Sequence, residues 1–186
     1  MFRSLAKSHL LVLVFIIVVV VTVGVLTYLI RANDTKKAAN QAAETLFAGG
    51  KETPYIDTNG APVTFNEFLG KIIIVNSWAS WSPLSVQELQ DLQTVAKEYV
   101  DKDVIVIAVN RKENRDQADR FLSTLPPLPE IKIVTDTEDY FYNVMGGYAM
   151  PETIIYNQAG TIVLHRQGVM KLEELRDEIN LILSNQ

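Results

Sequence analysis

An α/β domain, built on a central mixed sheet flanked by helices and preceded by one apolar N-terminal helix, is the fold this sequence predicts. Three observations carry it. Ile72-Ile73-Ile74-Val75 and Val104-Ile105-Val106-Ile107-Ala108-Val109 are continuous branched runs, the pattern of strands covered on both faces. The segment between them, Val86 to Val100, has the length of a crossover helix, which makes the pair a parallel β-α-β unit. Residues 10–30 form a run of 21 positions without a charge. As a helix it would span about 31 Å, close to the hydrocarbon core of a bilayer.

Taken in order, residues 1–9 are a short flank and 10–30 a transmembrane signal-anchor. The branched residues of this span would suit a strand in water, but in lipid a lone strand leaves its backbone unpaired, so the span is helical. It is longer than the apolar region of a cleaved signal peptide, and no small-x-small site follows at once. Arg3 and Lys7 precede the span and Arg31, Lys36 and Lys37 follow it, so the flanking charge does not set its orientation. Residues 31–53 read as a tether: either a short helix stopped at Gly49-Gly50 or an extended spacer.

From residue 54 the chain reads as one domain. Tyr55–Asp57 and Ala61–Thr64 flank an Asn59-Gly60 turn, and Phe65 to Leu69 make one apolar turn. After the strand at Ile72–Val75, residues 77–81 lead out of its carboxyl end. A helix begins near Pro83, with Val86, Leu89 and Leu92 on its apolar face. Beyond the strand at 104–109, a polar helix over 114–125 presents Ala118, Phe121, Leu122 and Leu125, and Pro126, Pro127 and Pro129 end it. Ile131–Val134 is a short strand, and the acidic stretch 136–139 caps a helical turn through Tyr140, Phe141 and Val144. Thr153–Tyr156 and Thr161–Leu164 form a hairpin around residues 157–160. Leu172, Leu175, Ile179, Ile182 and Leu183 mark a closing amphipathic helix.

Two segments give this pattern a family likeness. Asn76-Ser77-Trp78-Ala79-Ser80-Trp81-Ser82-Pro83-Leu84-Ser85 resembles the active-site segment of membrane-anchored thioredoxin-like proteins of bacteria. Gly146 through Met150-Pro151-Glu152-Thr153 is similar to their substrate loop, the Pro-Glu-Thr triplet pointing to the cytochrome c maturation branch. These are extracytoplasmic thiol-disulfide oxidoreductases within the alkyl hydroperoxide reductase and thiol-specific antioxidant-like superfamily. The resemblance covers residues 54–186. It implies a thioredoxin-like fold, a cytoplasmic N-terminus, an external domain at the cell membrane and a cis Met150–Pro151 bond. It also implies a groove beside Trp81, Pro83, Leu84, Met150 and Pro151 that takes an extended chain. The relatives carry Trp-Cys-x-x-Cys where this chain has Trp81-Ser82-Pro83-Leu84-Ser85; many of them carry proline where it has Leu84, and they commonly carry proline where it has Gln90.

The sequence contains no cysteine. Thiol-disulfide exchange needs a thiolate nucleophile, a resolving thiol and a thiolate leaving group. Ser82 and Ser85 supply none of these, and peroxidase chemistry fails for the same reason. Glu88, where relatives have an acid near the buried thiol, then lacks a proton-transfer partner and reads as a polar or capping residue of the helix. Serine hydrolysis needs an oriented base. His165, the one histidine of the domain, falls on the far hairpin with no acid evident behind it. Both serines read instead as N-cap or first-turn residues. Trp78 reads as a packing wedge, and Trp81 as either a second wedge or a peptide contact.

Composition removes further classes. Residues 38–186 hold 12 basic and 21 acidic side chains, which disfavours a nucleic-acid partner. His9 and His165 are too few and too scattered for a zinc site, and no cofactor is expected. Arg111, Lys112 and Arg115 make a small basic cluster, read as solvated surface. What survives is a membrane-tethered protein of this fold without redox cysteines, binding a peptide or protein partner or acting as an assembly factor. The alternative is a thiol-disulfide oxidoreductase whose cysteines at 82 and 85 have been changed to serine. The departures at Leu84 and Gln90 count against a simple two-site change.

Overall fold

The computed structural model describes residues 14–34, 37, 55–147 and 149–184, and they divide into two units, 1–39 and 40–186. In the first unit Val14–Asp34 is a helix (α1) long and apolar enough to cross a membrane. It continues past Ile30, where the expected span ends. The flank 1–9, Leu10–Leu13 and most of the tether 31–53, including the Gly49-Gly50 stop, lie outside the described residues.

Among the described residues, the second unit is a seven-stranded mixed sheet with helices on both faces. Its elements are β1 (Tyr55–Asp57), β2 (Pro62–Val63), a 3-10 turn (Phe65–Phe68), β3 (Ile72–Trp78), α2 (Ser85–Glu98), β4 (Val104–Arg111) and α3 (Arg115–Leu122). They are followed by β5 (Ile131–Asp136), α4 (Tyr140–Val144), β6 (Glu152–Tyr156), β7 (Ile162–Gln167) and α5 (Leu172–Ser184). The strand order is β2-β1-β5-β4-β3-β6-β7. β3, β4 and β5 run parallel, while β6 and β7 pair antiparallel on one side and β1 and β2 on the other. The leading hairpin is therefore part of the sheet, held to β5 through Ile56 and Asp57. Its turn is fixed by the Asp57 carboxylate, which accepts the N–H groups of Asn59 and Ala61 at 2.9 Å each, with Gly60 at φ 84°.

Two apolar layers cover the sheet. Ile72, Ile74 and Trp78 of β3 face Leu89, Leu92 and Val95 of α2, with Ala118 of α3 and Leu175 and Ile179 of α5. Ile73 and Val75 face the other way, toward Phe65, Phe141 and Met145. This alternation is the pleat of a strand buried on both sides. Trp78 is fully buried and stacked on Phe121, ring centroids 5.5 Å apart, as a packing wedge should be.

Several boundaries differ from the sequence reading. β3 runs on through Trp78, because Asn76, Ser77 and Trp78 continue to pair with Ala108, Val109 and Asn110 of β4. α2 starts at Ser85 and ends at Glu98, before Val100. Its inner face is Ser85, Glu88, Leu89, Leu92, Val95 and Ala96, whereas Val86 is exposed. Moving the inward face by one position puts a carboxyl where the apolar period places a surface residue. α3 stops at Leu122, ahead of the prolines, and is capped by the Asn114 side chain accepting from Gln117 N–H.

At the end of β5, the two oxygens of buried Asp136 accept the N–H groups of Tyr140 and Phe141 at 2.9 and 2.7 Å. They satisfy the first turn of α4. Asp136→Ala is expected to cost about 1–2 kcal/mol, read as a lower urea midpoint with unchanged slope.

Candidate functional site

The segment that distinguishes this domain lies between the carboxyl end of β3 and the start of α2, the usual place for chemistry in an open α/β sheet. It descends from Trp78 in two hydrogen-bonded turns, Ser82 N–H to Ala79 C=O and Ser85 N–H to Ser82 C=O, each 3.1 Å. Leu84 occupies the N-cap position and offers no side-chain acceptor. Ser85 is the first helical residue and Ser82 lies one turn earlier, so neither serine is the N-cap. Both are buried, and the Ser85 hydroxyl faces back toward Ala79 N–H at 3.4 Å. Trp81 and Leu84, by contrast, are 60% and 47% exposed, and Pro83 between them is exposed as well.

Glu88, one turn into α2, is neither a surface residue nor a cap. It is 2% exposed, and neither carboxyl oxygen has a hydrogen-bond partner among the described residues. Burial pushes its pKa up to about 8, against the pull of the nearby Asn76 amide, Met170 N–H and Thr153 hydroxyl. Asn76 and Thr153 stand opposite each other on β3 and β6, and the Asn76 amide donates to the Thr153 hydroxyl at 3.0 Å. A carboxyl held neutral to this pH can take or give a proton near neutrality. No thiol is present to exchange it with.

Met150–Pro151 is a cis peptide bond, in agreement with the family resemblance. Pro151 immediately precedes Glu152, which pairs with Ser77 near the end of β3. The loop thus reaches the same end of the sheet as the serine segment. Pro151 C=O is taken by Gly168 N–H at 2.9 Å. The N–H and C=O of Met150 have no partner among the described residues, and its side chain is half-buried.

A carboxylate absent from the sequence reading completes this end of the sheet. Glu113, 4% exposed, accepts four hydrogen bonds. Ser80 N–H and the Asn110 amide bond one oxygen at 2.9 and 2.6 Å. The Ser80 hydroxyl and the Gln117 amide bond the other at 2.5 and 2.7 Å. A signal was available: both buried strands, β3 and β4, carry an Asn near the carboxyl end, and a buried amide needs a partner.

His165 corrects another expectation, because an acid does stand behind it. Its Nε2 lies 2.5 Å from Glu152 Oε1, and Glu152 is buried. The alternation along β6 sends Glu152 to the face opposite Thr153, away from α2 and Ser85. The pair therefore provides no base for the serines. The basic cluster is also largely engaged. Arg111 pairs with Asp139 and stacks 3.3 Å over Tyr142, and Arg115 donates to Thr58 C=O. Lys112 remains exposed.

The Redoxin family model matches residues 37–180. Among relatives, the thiol:disulfide interchange protein DsbE of Tatumella citrea is 32% identical over 59% of this chain, which spans 57% of that protein's length. The thioredoxin-like protein YneN of Bacillus subtilis is 30% identical over 66% of this chain and 72% of its own. The thiol-disulfide oxidoreductase ResA of the same organism is 25% identical over 68% and 69%. Among solved structures, a thiol:disulfide interchange protein DsbE from Chlorobium tepidum superposes with a TM-score of 0.64 at 22% identity, covering 69% of this chain and 90% of its own. That likeness carries the thioredoxin fold. The chain belongs to the Redoxin family, as a thioredoxin-fold protein related to the DsbE and ResA oxidoreductases whose site holds serines where thiols would act.

Proposed function

We propose that the domain keeps the docking half of a thiol-disulfide oxidoreductase without its exchange half, binding an extended polypeptide non-covalently. The observation that carries this is the pairing of exposed Trp81, Pro83 and Leu84 with a Met150 backbone that has no partner among the described residues, at one end of the sheet. An extended chain can bond its main chain to Met150 and bury apolar side chains on the Trp81 ridge. Thiol chemistry is absent because every step of exchange passes through sulphur. By this reading α1 holds the domain at the cell membrane on the extracytoplasmic side, and the partner is a protein, met as an unfolded or extended segment.

The test uses the full chain in detergent and a labelled, reduced and S-alkylated insulin B chain as the probe. Trp81→Ala is expected to weaken binding about tenfold or more, the size of a buried aromatic anchor, with thermal stability unchanged because the residue is exposed. Binding that survives both Trp81→Ala and Met150→Ala would remove the groove reading.

The names of the relatives favour a second reading more directly. It takes the frame as that of a thiol-disulfide oxidoreductase with serine standing at both cysteine positions. The retained Glu88 supports it: a carboxyl buried one turn into α2, its pKa raised toward neutrality by burial, suits proton exchange with a thiol beside it.

A further inference from the structure

We propose that Glu113 is the positioning residue of the groove: its carboxylate fixes the bend at Ala79–Trp81 and so sets where the exposed Trp81 indole stands. The inference deepens the peptide-binding reading and rests on it only for the final, functional step.

Within the bend, the Ser82 N–H to Ala79 C=O turn spans Ser80 but leaves the Ser80 N–H and hydroxyl to be bonded from outside. The bend follows the last paired residue of β3 and precedes the first helical residue of α2, so neither element fixes Ser80. Glu113 reaches it from the turn between β4 and α3, 33 positions along the chain. It takes both the main-chain N–H and the hydroxyl of Ser80, a two-point grip that sets the orientation of the residue as well as its position. The carboxylate is itself held from behind. The Asn110 amide, fully buried on β4, bonds one oxygen and the Gln117 amide on α3 bonds the other. Gln117 also approaches the Ser80 hydroxyl at 3.3 Å, closing the ring of bonds. All four groups donate, so the residue at 113 must be an acceptor at both ends or be met by groups that can turn round. Trp81 is the next residue after Ser80 and has no ring partner of its own among the described residues. It shares the Ala79–Ser82 turn with Ser80, so the grip on Ser80 bears on where the indole stands.

Glu113→Ala removes the grip. Glu113→Gln keeps it: one amide oxygen can accept from Ser80 N–H and Asn110, while the new NH2 faces a hydroxyl and a Gln117 amide that can both reverse. Ser80→Ala leaves the main-chain bond and removes only the hydroxyl, which covers the event that Glu113→Ala does not fold.

The readouts are amide hydrogen exchange at residue 80, the indole N–H resonance of Trp81, and affinity for the S-alkylated insulin B chain, all on the full chain in detergent. In Glu113→Ala, exchange at residue 80 is expected to rise about tenfold or more, as for loss of a bond to a charged group. The Trp81 resonance is expected to shift and affinity to fall about tenfold, while Trp78, buried against Phe121, keeps its resonance. Glu113→Gln is expected to restore all three, and Ser80→Ala to fall between. Unchanged exchange at residue 80 and an unmoved Trp81 resonance in both Glu113→Ala and Ser80→Ala would overturn the proposal. So would a Gln variant as impaired as the Ala variant. Should the wild-type chain fail to bind the probe while exchange and resonance respond as stated, the positioning role stands and the peptide-binding reading falls.

Discussion

The Ser82→Cys/Ser85→Cys chain is expected to reduce insulin disulfides with dithiothreitol as electron source, where the parent chain gives no rate above the uncatalysed reaction. Three features already in place support a gain from nothing to turnover. The Ser85 N–H to Ser82 C=O turn brings the two Cα atoms within about 7 Å, and a disulfide needs about 4.4–6.8 Å. Position 85 opens α2, whose N-terminal dipole favours an anion, and Leu84 supplies no competing side-chain cap. Glu88 lies buried one turn on, its pKa raised toward neutrality by burial.

Exchange would then run in two steps. The thiolate at 82 attacks the substrate disulfide and releases one substrate thiolate. The thiolate at 85 then attacks the mixed disulfide, releases the second, and leaves the 82–85 disulfide for dithiothreitol to reduce. Neither single variant should turn over, since one lacks the nucleophile and the other the resolving thiol. A double variant that folds, yet forms no internal disulfide and reduces no insulin, would show that Leu84 and Gln90 have taken the frame beyond recovery. The oxidoreductase reading would then be lost.

The fold was legible because its strands announce themselves. Two runs of branched residues, a crossover-length helix between them and a terminal hairpin leave few ways to order the sheet. The hairpin at 55–63 was legible from Asn59-Gly60, though its attachment to β5 was not, since no local pattern states which edge an extra strand will join. The site was half legible. Ser82, Ser85 and the Met150–Pro151 pair were singled out through family likeness; the structure shows the cis bond and an exposed Trp81. Glu88 and Glu113 were misread or missed for one reason. A carboxylate is taken as surface unless something demands otherwise, and burial depends on neighbours far along the chain. Asn76 and Thr153, which lie beside Glu88, are 77 positions apart, and Glu113 meets Ser80 across 33. Val86 was misplaced because Ser85 and Glu88 on the inner face break the apolar period that would have located it.

Glu88→Gln is expected to flatten the dependence of stability on pH and to stabilise the domain in alkali. The sign follows from the direction of the shift. The carboxyl titrates near 4.5 in the unfolded chain and at about 8 in the folded one, so between these values the folded state holds the extra proton. Stability therefore falls as pH rises from about 4.5 to about 8. It is level below that window, where both states are protonated, and level again above it. At 1.36 kcal/mol for each unit, the loss across the window is on the order of 5 kcal/mol, as much as the whole stability of a marginal domain. A protonated Glu88 has a further advantage. It carries an O–H donor, and Asn76 Oδ1 beside it is a buried acceptor without a partner among the described residues. The glutamine variant offers donors at every pH. Urea unfolding at pH 5, 7 and 9 checks this. At pH 5 the variant should lie within about 1 kcal/mol of the parent, and by pH 9 it should be more stable by on the order of 4 kcal/mol. Parallel profiles for the two chains would mean that the carboxylate is solvated or paired once charged. The buried, unpartnered Glu88 could then no longer be counted as a relic of thiol chemistry.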